Sequence, residues 1–297
     1  MLQFLVDTLL RASDLALIAL GLSMVYGLVK FPNIAHVQYA MLGAYLSFAL
    51  HAAGVPLVAA LLLACISVGV FTLLLHLFVF RRLLRAGPAI AMIGSLAVSM
   101  LIVAFTQGVA GSFPRMFNLP ISAPLNLGGA HLSQTQVMFM ATTLVLLALF
   151  TALLFWTPTG RAMRALACNA PLAAASGLDA ERITRLVAFG SGAVAALGGS
   201  MLALSTGAHI NLGADLLLPV FAAAILGGLG NPLGAVAGAV LIALTETAVT
   251  NIDFGLFLGA SNVYMPVAYI GAASFLVLLL ALLFKPYGLF DREVRRV

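Results

Sequence analysis

Residues 157–186 read TPTGRAMRALACNAPLAAASGLDAERITRL, and this polar stretch separates two long apolar runs. It holds four of the chain's 14 Lys and Arg residues, together with one Asp and one Glu. The runs on either side, residues 136–156 and 187–206, contain no charged residue. Apolar runs of about 20 residues are long enough to cross a bilayer as a helix. The stretch therefore predicts a polar helical connection between two membrane spans.

The composition predicts an integral membrane protein. Hydrophobic residues make up 63% of the 297 residues and charged residues 8%, whereas a soluble domain carries about 25% charge. Long unbroken apolar runs are typical of transmembrane helices and not of barrel strands. We therefore predict an all-α, polytopic bundle that forms a single transmembrane domain over residues 1–297. The net charge is +5, and the basic residues lie in short loops. This distribution is typical of the positive-inside rule for membrane proteins and not of nucleic-acid binding.

The hydropathy pattern predicts about nine spans. They cover residues 14–29, 36–53, 55–80, 89–108, 136–156, 187–206, 215–229, 233–250 and 264–284. The seventh is short. The first residues, MLQFLVDTLLRASD, lack the pattern of a cleavable signal peptide, and we expect an interfacial helix that leads into a retained first span.

The positions of the basic residues predict the orientation in the membrane. The cluster Arg81, Arg82 and Arg85, the stretch 157–186 and the tail 285–296 are all rich in Lys or Arg, and such segments face the cytoplasm. Even numbers of predicted spans separate them, so the three assignments agree. The N-terminus is then outside, the C-terminus is cytoplasmic, and the weakly charged loop 109–135 is outside.

The polar stretch is predicted to fold as two or three short helices. Pro158 opens it, and Pro171 fits only the first turn of a new helix. Gly177 suits a helix C-terminus, and Asp179 suits the N-cap of the next helix. The apolar residues of the stretch exceed what a solvated loop needs, so we expect them to form a docking surface. They are Ala162, Leu166, residues 173–175 and Leu178.

Acidic residues within predicted spans are candidates for function because burying a charge in the membrane is costly. Glu246 has no basic neighbour in sequence. It either lines a wet pathway or lies near the outer end of its span and meets water. Asp14 and Asp215 stand where spans begin and are interpreted as helix caps or interfacial charges. The sequence shows no acid–base pair within a span, which argues against an ion-coupled carrier.

Three further polar residues, Asn33, His36 and Gln38, cluster where the second span begins, after Pro32. They either line a pathway or cap the helix, and we favour the cap.

A glycine-rich segment precedes and enters the eighth span. Gly230, Gly234 and Gly238 recur every four residues, a spacing that lets helix backbones touch. Between them, Asn231 and Pro232 interrupt the run and predict either a loop or a discontinuous helix at a transport site. Gly227, Gly228 and Asn231 are accordingly pathway candidates, with tight packing alone as the alternative.

Enzymatic motifs are absent from the sequence. There is no phosphate-binding G-x-x-x-x-G-K-[ST] loop, and no zinc-protease or nucleophile-elbow motif. We therefore expect no enzyme activity, no metal and no cofactor in this chain. Cys65 and Cys168 lack metal-type spacing and are interpreted as small packing residues.

The stretch GRAMRALACNAPLAAASGLDAERITRL resembles the cytoplasmic loop of permeases in bacterial ABC importers for branched-chain amino acids. Further similarities are residues 33–36, 226–235 and 286–290, so the resemblance extends over essentially the whole chain in order. Within the family it is most similar to the H-type permease of the high-affinity leucine, isoleucine and valine system. Asn169 replaces an acidic residue that is common in the family. The positions that match the coupling loop are Arg161, Arg164, Ala165, Asn169, Ala173, Gly177, Leu178 and Asp179.

The resemblance implies a mechanism and a set of partners. Two permease subunits would form the pathway in the inner membrane, and two ATP-binding subunits, which hold ATP and Mg²⁺, would dock on residues 157–186. A periplasmic binding protein would deliver the substrate.

Other readings stay open. Members of the family also carry urea, amides and other small polar solutes, and a sugar permease is a close rival. An ion-coupled secondary carrier that uses Glu246, or a scaffold without transport activity, is a further alternative.

Overall fold

The computed structural model describes residues 1–119, 125–127, 129–252, 264–266, 269–285 and 288–289. The first half contains α1 (Leu2–Val29), α2 (His36–Ala52), α3 (Leu57–Leu75), a π-helical turn (His76–Phe80), α4 (Arg81–Ala86) and α5 (Pro88–Ala110). A hairpin of two antiparallel strands follows, β1 (Leu125–Leu127) and β2 (Ala130–Leu132). The second half contains α6 (Gln134–Trp156), α7 (Pro158–Cys168), α8 (Ala170–Ala175), α9 (Ala180–Thr206), α10 (Leu212–Leu226), α11 (Pro232–Asn251) and α12 (Ile270–Phe284).

The predicted polytopic helical bundle is confirmed. Six helical segments among the described residues are long and apolar enough to cross a membrane, and α10 and α12 are shorter apolar helices. Together with α2, these segments match the nine predicted spans one to one. At 15 residues, α10 extends about 22 Å. It is therefore shorter than the hydrocarbon layer, as the short seventh span predicted.

Two predicted helix boundaries are wrong. The expected interfacial helix and first span form one continuous helix, α1. Its charged residues Asp7, Arg11 and Asp14 are spaced four and three apart, so they share one face and do not interrupt the helix. The third span does not end at Arg81, because the helical chain continues through the π-helical turn and α4 to Gly87, where φ is +125°.

Close backbone contacts build the core, in which α1, α2, α3, α9, α10 and α11 pack together. Gly43 and Gly199 lie against the backbones of Ala196 and Ala40, so a Cβ on either glycine would overlap the opposite helix. Such close approach between α2 and α9 is possible because glycine has no side chain.

The basic segments lie at one end of the bundle, which we call the basic end. There, the Lys30 Nζ donates to the Ala167 carbonyl at 3.1 Å, and Arg81 contacts Glu181 at 2.9 Å. At the opposite end, the His131 N–H donates to the Gln3 side chain, and the backbones of Arg115 and Ala208 pair. The predicted tail arginines lie outside the described residues. The side of the membrane that the basic end faces stays a prediction.

Candidate functional site

The connection between α6 and α9 is built by local capping interactions, and we call residues 157–179 the coupling segment. It begins at Thr157, whose Oγ1 accepts a hydrogen bond from the Gly160 N–H at 3.1 Å. Pro158 occupies the first turn of α7. A Cβ on Gly160 would overlap the carbonyl groups of Leu153 and Leu154, so α7 turns back tightly against the end of α6.

The short helix α8 has a side-chain cap at its start and a glycine at its end. The Asn169 Oδ1 accepts from the Leu172 N–H at 3.1 Å, and Pro171 lies in the first turn. At the other end Gly177 has φ +84°, and its N–H donates to the Ala174 carbonyl at 3.0 Å. Leu178 also donates to Ala173, which completes a Schellman motif. These bonds hold α8 between two fixed turns.

Asp179 then starts α9. Its Oδ1 accepts from the Arg182 N–H at 2.9 Å, and Glu181 lies in the first turn. A carboxylate at this position also interacts favourably with the helix dipole. The predicted helix starts, glycine terminus and N-cap all coincide with those in the structure.

The expected docking surface is partly wrong. Leu166 and Ala173 are buried within the chain itself, in a cluster with Met163 and with Leu20 and Met24 of α1. Their apolar character therefore fixes the coupling segment to the membrane bundle, because an amphipathic helix buries its apolar face. Ala173 cannot contact a partner directly.

The outer face of the coupling segment exposes apolar, polar and charged residues. Leu172 is 64% exposed, and Leu178 is half-buried. Arg164 lies over the Phe155 ring, with Cζ 4.9 Å from the ring centroid. The other exposed positions include Arg161, Ala165, Asn169, Ala174, Ala175, Gly177 and Asp179. Cys168 is also exposed and so does not pack in the core as predicted, whereas Cys65 is buried.

Two polar contacts tie the coupling segment to the rest of the basic end. Lys30, which ends α1 in the left-handed conformation with φ +53°, donates to the C-terminal turn of α7. Arg81 binds Glu181 at the start of α9. The sequence predicted that Arg81 and residues 157–186 lie on one side of the membrane, but it did not reveal these contacts, which connect positions 137 and 100 residues apart.

Asn33, His36 and Gln38 are all buried at the start of α2. The favoured helix cap is wrong, because no described side chain caps the start of α2; the Asn33 Oδ1 instead accepts from the Ala35 N–H at 3.1 Å in the turn before the helix. The His36 Nε2 lies 3.2 Å from the Ile18 carbonyl of α1. The Gln38 side chain packs directly against Gly213 of α10, so closely that a Cβ on Gly213 would overlap it. A role for these residues in solute passage stays a prediction.

The glycine-rich segment forms the turn of a helical hairpin. Helix α10 ends at Leu226 and α11 starts after Asn231, whose Oδ1 accepts from the Gly234 N–H at 3.1 Å. Asn231 and Pro232 therefore mark a tight turn at the start of a helix. Gly228 has φ +94° and lies in this turn beside Gly288.

The hairpin closes through direct backbone contact. Gly234 faces Gly227, and Gly238 faces Ala223, with no room for a Cβ on either glycine of α11. Gly230 differs from these two, because it lies in the turn with φ +92° and contacts Gly27 of α1. Within this regular spacing, close helix packing requires Gly234 and Gly238, whereas the positive φ of the turn requires Gly230.

Glu246 has a partner that the sequence did not reveal. It is 1% exposed, and its Oε2 accepts from Arg11 Nε of α1 at 2.6 Å. The Ser274 hydroxyl of α12 donates to Oε1 of the same carboxylate. Asp14 lies 4.0 Å from Arg11 in the interior of α1, so the helix cap is wrong and its interpretation as an interfacial charge stays a prediction. Asp215 lies in the first turn of α10, beside His209 at 3.3 Å.

This contact corrects two expectations. Glu246 is buried instead of meeting water at the end of its span, and an ion pair joins α1 and α11, two helices long and apolar enough to cross a membrane. Among the described residues, no group of three His, Cys, Asp or Glu side chains is placed to share a metal ion.

Comparisons with known proteins identify the family. Residues 4–284 match the model of the family described as the branched-chain amino acid transport system permease component. The chain is 29% identical to the LivH permease protein of the high-affinity branched-chain amino acid transport system of Escherichia coli (strain K12), over 100% of this chain and 97% of that protein. It is 27% identical to the permease protein BraD of Pseudomonas aeruginosa, over 100% and 98%.

A further relative and a solved structure extend this comparison. A probable LivH permease protein of Methanocaldococcus jannaschii is 29% identical over 97% of this chain and 91% of its own length. PsaBC from Streptococcus pneumoniae, solved in complex with Fab, has a similar fold, with a TM-score of 0.52 and 11% identity over 96% of this chain and 92% of that one. Since the family model covers nearly the whole sequence, this multi-pass membrane protein belongs to the permease components of branched-chain amino acid transport systems.

Proposed function

We propose that this chain is a permease subunit of an ATP-driven importer in the bacterial inner membrane and forms part of the pathway for branched-chain or related amino acids. The observation that carries the proposal is the match to the permease family over residues 4–284. Full-length similarity to LivH and BraD supports the substrate class. Urea, amides and sugars are alternative solutes.

Partner subunits supply the energy. The sequence has no phosphate-binding loop, so ATP and Mg²⁺ bind to two ATP-binding subunits and not to this chain. A second permease subunit completes the pathway, and a periplasmic binding protein delivers the solute at the end opposite the basic end. In this arrangement the basic end and the C-terminus face the cytoplasm, and the N-terminus faces outward.

The coupling segment is the docking site for the ATP-binding subunits. Its exposed side presents Leu172, Ala174 and Ala175 beside polar groups, and such mixed patches suit protein interfaces. The Asn169 cap and the Gly177 turn hold α8 at both ends. A push on α8 therefore moves α7 and α9 instead of bending a flexible loop.

The ion-coupled carrier is the second candidate, and the Arg11–Glu246 pair is the observation that favours it, because buried ion pairs also occur in proton and ion pathways. In this structure the Glu246 carboxylate is engaged by both Arg11 and Ser274. That arrangement joins three helices and favours a structural role.

The test measures leucine uptake in proteoliposomes that contain the complex with its partners. We expect uptake to require internal ATP, and we expect Arg164→Glu and Gly177→Glu to abolish it while the protein still inserts. Arg164→Lys keeps the charge, and Gly177→Ala separates backbone strain from a clash with the partner. Normal uptake in both Glu variants would disprove docking at this surface. Gradient-driven uptake by the chain alone would favour the carrier.

A further inference from the structure

Arg81 and Glu181 form an ion pair in which both guanidinium Nη atoms lie close to the carboxylate. Arg81 Nη1 lies 2.9 Å from Glu181 Oε1, and Nη2 lies 3.0 Å from Oε2, so the guanidinium and carboxylate meet at two points. Arg185 lies 2.7 Å from the same carboxylate, one turn further along α9. Only the Nη2 contact has hydrogen-bond geometry, so one charge-assisted hydrogen bond sets the orientation, and the Nη1 contact adds the attraction between the charges.

Glu181 lies next to the coupling segment. It is two residues beyond the Asp179 cap, which follows directly on the Gly177 turn that ends α8. Because both turns are closed by backbone hydrogen bonds or a side-chain cap, a displacement of α8 also displaces the first turn of α9. Glu181 therefore moves with the docking surface.

Arg81 belongs to a different part of the bundle. It opens α4, directly after the π-helical turn. Helix α4 connects through Gly87 to α5. The Leu83 side chain packs directly against Gly94 of α5, so closely that a Cβ on Gly94 would overlap it. A force on Arg81 is therefore passed to α5 through a short and closely packed connection.

Helix α5 has space beside it. A cavity of about 830 Å³ that is open to the surface of the chain lies between α2, α3 and α5, and Tyr45, Phe71, Ile102 and Phe105 are among its lining residues. Closely packed helices resist displacement because their side chains interdigitate. A helix that borders a cavity of this size can shift without overlapping its neighbours, whereas the part of α9 where Ala196 and Gly199 contact α2 has no such room.

We propose that Arg81 is a positioning residue that, through Glu181, passes the movement of the coupling segment to α4 and α5. This inference rests on the proposed function, in which ATP-binding subunits push on α8. The two-point ion pair is the mechanical link between the docking surface and the helix that borders the cavity.

The experiment measures ATP hydrolysis and leucine uptake in the same proteoliposomes that hold the complete complex. We compare the wild type with Arg81→Ala, Glu181→Gln and the double variant. Arg82→Ala is the matched control, because it removes the same charge from the same helix and Arg82 forms no ion pair with any described residue. Arg81→Lys keeps the charge but loses the two-point contact.

We expect the complexes to assemble and hydrolyse ATP, because side chains that are 45% and 39% exposed contribute little to stability. Leucine transported per ATP should fall about fivefold in Arg81→Ala and Glu181→Gln, the upper limit for an exposed ion pair, and the double variant should be no worse than either single variant. Arg81→Lys should lie between Arg81→Ala and the wild type, and Arg82→Ala should match the wild type.

A ratio within about twofold of the wild type in the single variants, or losses that multiply in the double variant, would overturn the inference. The same holds if Arg82→Ala loses as much as Arg81→Ala. These outcomes are distinct from failure of the proposed function, in which the wild-type complex itself shows no ATP-dependent uptake.

Discussion

The coupling segment and the buried cluster of Arg11, Glu246 and Ser274 are both polar regions of an apolar chain, but they are held in different ways. In the coupling segment, Thr157, Asn169 and Asp179 bind backbone groups three residues away. In the buried cluster, Arg11 binds a carboxylate 235 residues away. The first region is specified by neighbours in sequence and the second by the packing of three helices.

The difference explains why one region was predictable. A capping residue meets the N–H group that it caps wherever the helix starts, so residue type and spacing are sufficient. A buried ion pair forms only when two helices bring the charges together, and this depends on the whole bundle. The following predictions test whether local and long-range contacts also differ in their contribution to stability.

The largest effect is expected for Glu246→Leu, because Arg11 would lose its close partner and keep only Asp14, at 4.0 Å. The free energy of unfolding should fall by about 3 kcal/mol, the low end for broken buried pairs since Arg11 is 27% exposed. The measurement is a denaturant titration of the protein in mixed detergent micelles. Arg11→Met combined with Glu246→Leu should recover most of the loss. If the single variant is as stable as the wild type, the cluster does not hold the helices together.

An intermediate effect is expected for Gly160→Val, which tests the close packing of the coupling segment against the end of α6. The added side chain overlaps the carbonyl groups at the end of α6 and should cost about 2 kcal/mol. Gly190→Val is the matched control, because a Cβ at that position meets nothing within 4 Å. The same titration compares the two variants. Equal stability would contradict the tight turn between α6 and α7.

The smallest effect is expected for Asp179→Ala, which removes the N-cap of α9. The Arg182 N–H loses its partner, and the cost should be about 1 kcal/mol. Asp179→Asn keeps a capping oxygen and should restore stability. Hydrogen exchange at the first turn of α9 detects the local fraying directly. A loss as large as that of Glu246→Leu would erase the distinction between the two regions.

The errors of the sequence analysis follow the same division. The apolar residues of the coupling segment were recognised, but the surface that covers Leu166 and Ala173 belongs partly to α1 and could not be seen in the local sequence. In that case the missing information was a contact distant in sequence. Asp14 was interpreted as a cap or an interfacial charge because the predicted span begins there, whereas α1 begins at Leu2.

The glycine-rich turn shows how one sequence pattern covers two requirements. The spacing of Gly230, Gly234 and Gly238 predicted close helix packing, and Gly234 and Gly238 do lie against α10. Gly230 instead adopts φ +92° in the turn and contacts α1. A repeat of small residues does not indicate where a helix begins, so only the structure separates the two roles.

By itself, the sequence determined the number and order of the spans, the side shared by the basic segments and the caps of the coupling segment. These features depend on hydropathy, on charge and on residues a few positions apart, so the local sequence is sufficient to set them. The tertiary structure decided which face of α7 and α8 is free, how Arg11 meets Glu246, and how Arg81 reaches Glu181. Those contacts join residues 100 or more positions apart, so they exist only once the helices have packed.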